Sequence, residues 1–154
     1  MKLGDLLRKD LIKLDLDATN KWDAIEQMVN LLVEHHQIKI SDREKIIEGI
    51  KAREKSMSTG IGKGVGIPHA TSELLPEVVG AYARLKAPID FEAIDGEPVR
   101  HLVLMVIPKS QYQSHIKTLA GIARLMNDEK ARTGLMSATS AADTMAVVEK
   151  AEAL

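Results

Sequence analysis

The side chains in this sequence best suited to chemistry lie in residues 58–70, STGIGKGVGIPHA. Gly60, Gly62, Gly64 and Gly66 alternate with other residues and lead into Ile67-Pro68-His69-Ala70. Glycine accepts positive φ and lets other groups approach the backbone, so this spacing predicts a tight loop with exposed N–H groups. Pro68 holds its own φ and drives Ile67 towards extended geometry, which gives His69 a nearly fixed mount. Neutral imidazole is a nitrogen nucleophile, and an ordinary pKa of about 6.5 leaves roughly three quarters of such rings neutral at pH 7. It needs no base to activate it. A phosphoryl group attacked by that ring needs its oxygens stabilised, a task suited to the N–H groups around Gly60 and Gly62, the hydroxyls of Ser58 and Thr59, and the nearby cation Arg53. Taken alone, the glycines also fit an ordinary surface turn. No Gly-Lys-[Ser/Thr] makes them a P-loop, and the strand-to-helix setting of a dinucleotide fingerprint is missing.

The same residues resemble the active-site segment of the fructose/mannitol-type IIA proteins of the bacterial phosphotransferase system, a family that includes the nitrogen-regulatory IIA group. The resemblance continues through KAPIDFEAIDGEPV (residues 86–99), the apolar run ending at Pro108, and HIKTLAGIARLM (residues 115–126), and so spans essentially the whole chain. It implies that His69 is the phosphorylated residue, with Nε2 as the attacking atom. It implies that His115 lies beside it as a stabiliser of the phosphoryl group, and that Arg53 contacts the phosphate or the partner. It further implies an HPr-like phosphocarrier protein as donor, a IIB domain or a regulatory target protein as acceptor, and no metal or nucleotide cofactor. Two departures stand out. Thr71 occupies a position where a basic residue often follows the Pro-His-[Ala/Gly] segment, and His101 lies where many relatives carry an acid.

The elements that must position these groups follow from periodicity and caps. Residues 3–7 read as a helical turn and residues 11–14 as a strand. From Asn20, a good N-cap, Trp22, Ile25, Met28, Val29, Leu32 and Val33 recur at helical spacing to about His36. Ser41 and Glu44 form a capping box, opening a helix that turns Ile46, Ile47 and Ile50 inward and delivers Arg53 at its end. By itself, Arg53 also fits a solvated charge complementing the helix dipole. Residues 65–68 and 78–85 lean towards strand, and residues 88–91 and Asp95-Gly96 towards turns. Residues 99–107, VRHLVLMVI, are the longest apolar run and predict a central strand buried on both faces, ended by Pro108. A helix then carries His115 in its first turn, with Ile116, Leu119, Ala120, Ala123, Leu125 and Met126 as its packed side. Such a histidine is often merely exposed, although a helix N-terminus favours anions and suits a donor to phosphoryl oxygen. Ser140 caps a last helix whose apolar side includes Met145, Val147, Val148, Ala151 and Leu154.

Composition narrows the function classes. The chain has 154 residues, 21 Lys and Arg against 22 Asp and Glu, 3% aromatic residues and no cysteine. Near-neutral charge and few aromatics argue against nucleic acid, and the absence of cysteine excludes disulfides and thiolate metal sites. Charges interrupt the apolar residues of the N-terminus, so it reads neither as a signal segment nor as a membrane helix. His35 and His36 sit side by side on a helix, about 100° apart with no ligating partner at i+4, which argues against a metal site. His101 reads as structural. The expectation is one α/β domain over residues 1–154, a central mixed sheet with helices on both faces. It is expected to be cytoplasmic, with no membrane insertion, and to act as a phosphohistidine carrier in sugar transport or nitrogen regulation. A non-catalytic regulatory binding module and, more remotely, a hydrolase with metal held by His69 and His115 are the competing classes.

Overall fold

The computed structural model describes residues 1–153; Leu154, expected on the apolar side of the last helix, lies outside the described residues. In chain order the elements are α1 (Leu3–Leu6), β1 (Ile12–Leu16), α2 (Lys21–Glu34), α3 (Arg43–Ser56), β2 (Gly60–Gly62), β3 (Val65–Gly66), β4 (His69–Ser72), β5 (Val79–Ile89), β6 (Val99–Pro108), α4 (Tyr112–Asn127), α5 (Glu129–Ser137) and α6 (Ala141–Glu152). The strands form one mixed sheet in the order β1-β5-β6-β3-β2, with β4 also paired to β6. β1 runs parallel to β5, β5 antiparallel to β6, and both β3 and β4 parallel to β6. β3 meets the start of β6, at His101 and Leu102, and β4 meets its end, from Met105 to Pro108.

The alternation of side chains along β6 divides the core. Leu102, Leu104 and Val106 face a layer built from α2 and α3, where Ile25, Met28, Leu32, Ile46 and Ile50 pack. Val103, Met105 and Ile107 face the opposite layer, with Leu3 and Leu6 of α1, Ile122 and Met126 of α4, Leu135 of α5 and Val148 of α6. All six β6 residues are fully buried. At about 1.5–3 kcal/mol for each large apolar side chain, this strand anchors both layers at once. The expectation of a central strand covered on both faces is met.

Of the three helix caps expected from the sequence, two form. Asn20 accepts a hydrogen bond from the Asp23 amide at 2.9 Å, and Ser140 accepts one from the Asp143 amide at 3.0 Å. The expected capping box at Ser41 does not form. Residues Ile40–Asp42 wind into a 3₁₀ turn and α3 begins at Arg43, after Asp42 in helical geometry. A serine cap needs extended φ and ψ, which that turn denies, and the Glu44 carboxylate pairs instead with the Arg43 guanidinium. β5 also runs past its expected end at Leu85, through Lys86, Ala87 and Pro88 to Ile89, with a register shift before the Ile89–Val99 pair.

Candidate functional site

His69 is the first residue of β4, not part of a loop. Its pairing with Met105 across parallel strands puts its side chain on the sheet face that α4 covers. The half-buried ring is held by its own backbone: Nδ1 lies 2.7 Å from the Ile67 carbonyl oxygen. A carbonyl can only accept, so Nδ1 carries the proton and Nε2 of the neutral ring keeps a free lone pair. Burial lowers the His69 pKa below 6.5; the Ile67 carbonyl raises it, Arg53 lowers it further, and Glu54 opposes Arg53. The net direction favours the neutral nucleophile.

The ring opens on a shallow cleft of about 450 Å³ at the edge of the sheet, lined also by Gly49, Arg53, Ala70, Thr71, Lys109 and Tyr112. Gly49 and Arg53 come from α3, on one face of the sheet; Lys109 comes from the 3₁₀ turn after β6 and Tyr112 from the first residue of α4, which packs on the other. Arg53 uses one Nη1 bond to the Met57 carbonyl oxygen at 2.8 Å. That contact fixes the guanidinium at the helix end while most of its five N–H donors remain for the cleft. Lys109 brings a second cation close to Thr71, the position where the sequence lacked the family's basic residue. No sequence signal marked it.

The glycine segment folds as a hairpin. β2 and β3 pair antiparallel, and Gly62, Lys63 and Gly64 turn with φ of 99°, 57° and 79°. At such angles the flanking glycines avoid a strain that side chains would incur. The Lys63 amide is tied to the Asp95 carboxylate at 2.8 Å, and a Cβ on Gly60 would stand 2.9 Å from the Cα of Ala93. The hairpin is therefore clamped on residues 91–96. This clamping changes the expected part of Ser58, Thr59, Gly60 and Gly62 as phosphate contacts. The Ser58 hydroxyl donates to the Phe91 carbonyl oxygen at 2.5 Å and accepts from the Gly60 amide at 3.0 Å. The buried Thr59 gives both its amide, at 2.9 Å, and its hydroxyl to the Glu54 carboxylate. Groups already paired inside the fold are not free donors to a ligand, and the residues lining the cleft do not include these four.

Glu54 is the residue that sequence reasoning missed. Its carboxylate, fully buried, also meets Lys21 Nζ at 3.5 Å, and that ammonium reaches the Phe91 carbonyl oxygen at 3.4 Å. One carboxylate thus ties the start of α2, the end of α3 and the hairpin that leads to His69. A signal was present: an acid in the last turn of a helix faces the negative end of the dipole and needs a dedicated partner.

His115 sits in the first turn of α4, 8% exposed, with Nδ1 3.1 Å from the Thr118 hydroxyl. It shares the His69 face of the sheet and lies three residues beyond Tyr112, but it is not among the cleft-lining residues. The structure thus brings Arg53 together with His69 in one cleft and leaves His115 adjoining in sequence to its rim. His35 pairs with Asp10 at 3.4 Å and His36 ends α2 at φ 60°. His101 is buried, its Nδ1 2.8 Å from the Tyr82 hydroxyl. Among the described residues, no group of three or more His, Cys, Asp or Glu is placed to hold a metal ion.

A mixed α/β sheet that carries a tautomerically locked imidazole on its edge strand, beside a guanidinium in an open cleft, defines an α/β protein with a nucleophilic histidine reachable from outside. The chain belongs to the family described as "Phosphoenolpyruvate-dependent sugar phosphotransferase system, EIIA 2", whose sequence profile matches residues 5–151. It is 34% identical over 129 residues to a nitrogen regulatory protein of Bradyrhizobium diazoefficiens, covering 84% of this chain and 82% of that one. It is 36% identical over 141 residues to the PTS system fructose-specific EIIABC component of Bacillus subtilis, covering 91% of this chain but 22% of that longer protein. The nitrogen regulatory protein IIA-Ntr from Neisseria meningitidis superposes with a TM-score of 0.87 at 29% identity, covering 95% of this chain and 98% of that one.

Proposed function

We propose that the protein is a phosphoryl carrier that accepts phosphate on Nε2 of His69 from the phosphohistidine of an HPr-like protein. In this step the donor's N–P bond breaks, a new N–P bond forms at His69 Nε2, and the electron pair of the broken bond returns to the donor ring. No proton leaves His69 and no metal or nucleotide is needed to balance the transfer. The Ile67 carbonyl holds the proton on Nδ1 throughout, and Arg53 and Lys109 face the charge that arrives. His115 is assigned to hydrogen-bond the phosphoryl oxygens from the α4 side. The observation that carries this reading is the locked Nδ1–H of His69 beside Arg53 in an open cleft.

The phosphate then passes to a IIB domain or stays as a signal read by target proteins. The regulatory role is favoured by the nitrogen regulatory relatives, which match this chain over most of both lengths. Residues 1–154 act as one IIA domain in this reading. A chain that draws on phosphoenolpyruvate through protein carriers works in the cytoplasm, and no helix among the described residues is long and apolar enough to cross a membrane.

The test is incubation with phosphoenolpyruvate, enzyme I and HPr, followed by intact mass. A gain of one acid-labile phosphate, absent in His69→Ala, is expected. A gain that persists in that variant refutes His69 as acceptor, and no gain in the unaltered protein refutes the carrier. Adding a purified IIB domain then separates transport from regulation, since only a transport-type carrier hands the phosphate on.

A further inference from the structure

A second cleft, of about 440 Å³, shares no lining residue with the first. Its charged walls are Lys63 of the hairpin, Arg100 of β6, and Glu129 and Arg132 of α5, with Met136 as an apolar patch and His101 among its lining. Three cations thus face one carboxylate. Each guanidinium is anchored but not exhausted. Arg100 donates Nε to the Leu85 carbonyl oxygen at 2.7 Å and Nη2 to the Lys86 carbonyl oxygen at 3.3 Å, and Arg132 donates Nη1 to the Met126 carbonyl oxygen at 3.0 Å.

His101 makes this cleft more than a charged patch. The ring is 3% exposed and its Nδ1 lies 2.8 Å from the hydroxyl of Tyr82, itself 1% exposed. That hydroxyl has no other hydrogen-bond partner among the described residues, so it must donate to Nδ1 or leave its proton unpaired in the core. Burial, with Arg100, Arg84 and Arg132 beside it, lowers the His101 pKa to about 4, and the ring is neutral at pH 7. Its proton is therefore on Nε2. No protein group meets Nε2, yet no fully buried side-chain nitrogen or oxygen lacks a partner among the described residues, so this N–H opens on the cleft. A buried donor aimed into a cation-walled cavity lacks only an acceptor.

We propose that this cleft is a second ligand site, for a small phosphomonoester. Its oxyanion meets the Nε2–H of His101 and the free N–H groups of Arg100 and Arg132, Lys63 closes over it, and its carbon skeleton lies against Met136. Three cations and a neutral N–H against a single carboxylate suit a dianionic phosphate better than a singly charged carboxylate. A volume of this size accommodates a small metabolite. Because Lys63 belongs to the hairpin that leads to His69, the occupant bridges that hairpin to α5.

The test is NMR titration of the unphosphorylated full chain, labelled at histidine and arginine side chains, with inorganic phosphate and with glycerol 3-phosphate. Saturable shifts at His101 Nε2–H and Arg132 are expected. Lys63→Gln, which removes no contact within the fold, and Arg132→Gln should each weaken binding about tenfold. Shifts confined to His69 and Arg53 would place the anion in the first cleft and overturn the proposal. So would unsaturable shifts, or an unchanged affinity in Lys63→Gln. Succinate binding as tightly as glycerol 3-phosphate would refute the phosphate assignment. None of these outcomes depends on whether His69 carries phosphate.

Discussion

At the residue scale, the proposed transfer rests on which nitrogen of His69 keeps its lone pair and over what pH range. Burial and Arg53 hold the ring's pKa below 6.5, against the Ile67 carbonyl and Glu54. Only the neutral ring attacks phosphorus, so phosphoryl acceptance should decline on acidification with its midpoint below pH 6.5. NMR titration of His69 measures that midpoint directly, and Arg53→Gln should raise it. A wild-type midpoint above 6.5 would contradict the geometry. In the proposed transfer Arg53 also faces the charge of the phosphoryl group, since it lines the same cleft as His69. Its loss should slow phosphorylation by roughly 100-fold, the scale of removing one preorganised donor, as read from initial rates with a fixed phosphorylated donor. Lys109→Gln should slow the same step less, because an exposed lysine is screened and mobile.

The element scale concerns how the mount is held. α2, α3 and the β2–β3 hairpin converge on one buried carboxylate, Glu54, which takes the Thr59 amide and hydroxyl and the Lys21 ammonium. Glu54→Ala leaves the buried Lys21 with only the exposed Glu92 carboxylate, at 3.8 Å, and should destabilise the fold by about 3 kcal/mol in denaturant titration. Replacing the pair together, Lys21→Met with Glu54→Leu, should recover part of that loss, since no lone buried charge remains. A single variant no less stable than wild type would show that the hairpin is held by other contacts. Gly60→Ala tests the clamp more locally. The new Cβ would meet the Ala93 backbone at 2.9 Å, so the hairpin must shift, with an expected cost of about 1–3 kcal/mol.

Across the whole molecule, the sheet separates two packed layers and leaves its edge strand β4 as the place where the histidine reaches the surface. Partners can therefore approach His69 without any rearrangement of the core. The same architecture buries His101 in the layer of α4, α5 and α6, with Tyr82, Arg84, Arg100 and Arg132 around it, and this predicts acid sensitivity. Its pKa is about 4 folded against 6.5 in the free side chain, so between those values the unfolded chain binds more protons. Stability should thus rise with pH across that window and fall on acidification from pH 6.5 to about 4, by about 3 kcal/mol at most. His69 adds in the same direction. Urea midpoints measured across this range should flatten in His101→Gln, and an equally steep profile in that variant would assign the acid loss elsewhere.

What could be read without coordinates was local. The continuous apolar run of β6, the helical spacing of α2, and the caps at Asn20 and Ser140 are properties of neighbouring residues, and each reappears in the fold; α4 instead buries His115, Thr118, Ile122 and Met126 and leaves Ile116 and Ala120 of its expected packed side exposed, because the sheet and α5 choose its inner face. His69 was legible for the same reason: its mount, Ile67-Pro68, precedes it directly, and the tautomer is set by a carbonyl two residues away. The remainder depends on distant partners. Glu54 meets Lys21 across 33 positions, the Lys63 amide meets Asp95 across 32, and the Thr71 gap is filled by Lys109 from the far end of β6. Periodicity and propensity describe what a segment buries, not which segment lies opposite. The hydroxyls of Ser58 and Thr59 looked free in sequence and are bound in the fold, because strand pairing and the closing of the hairpin chose their partners.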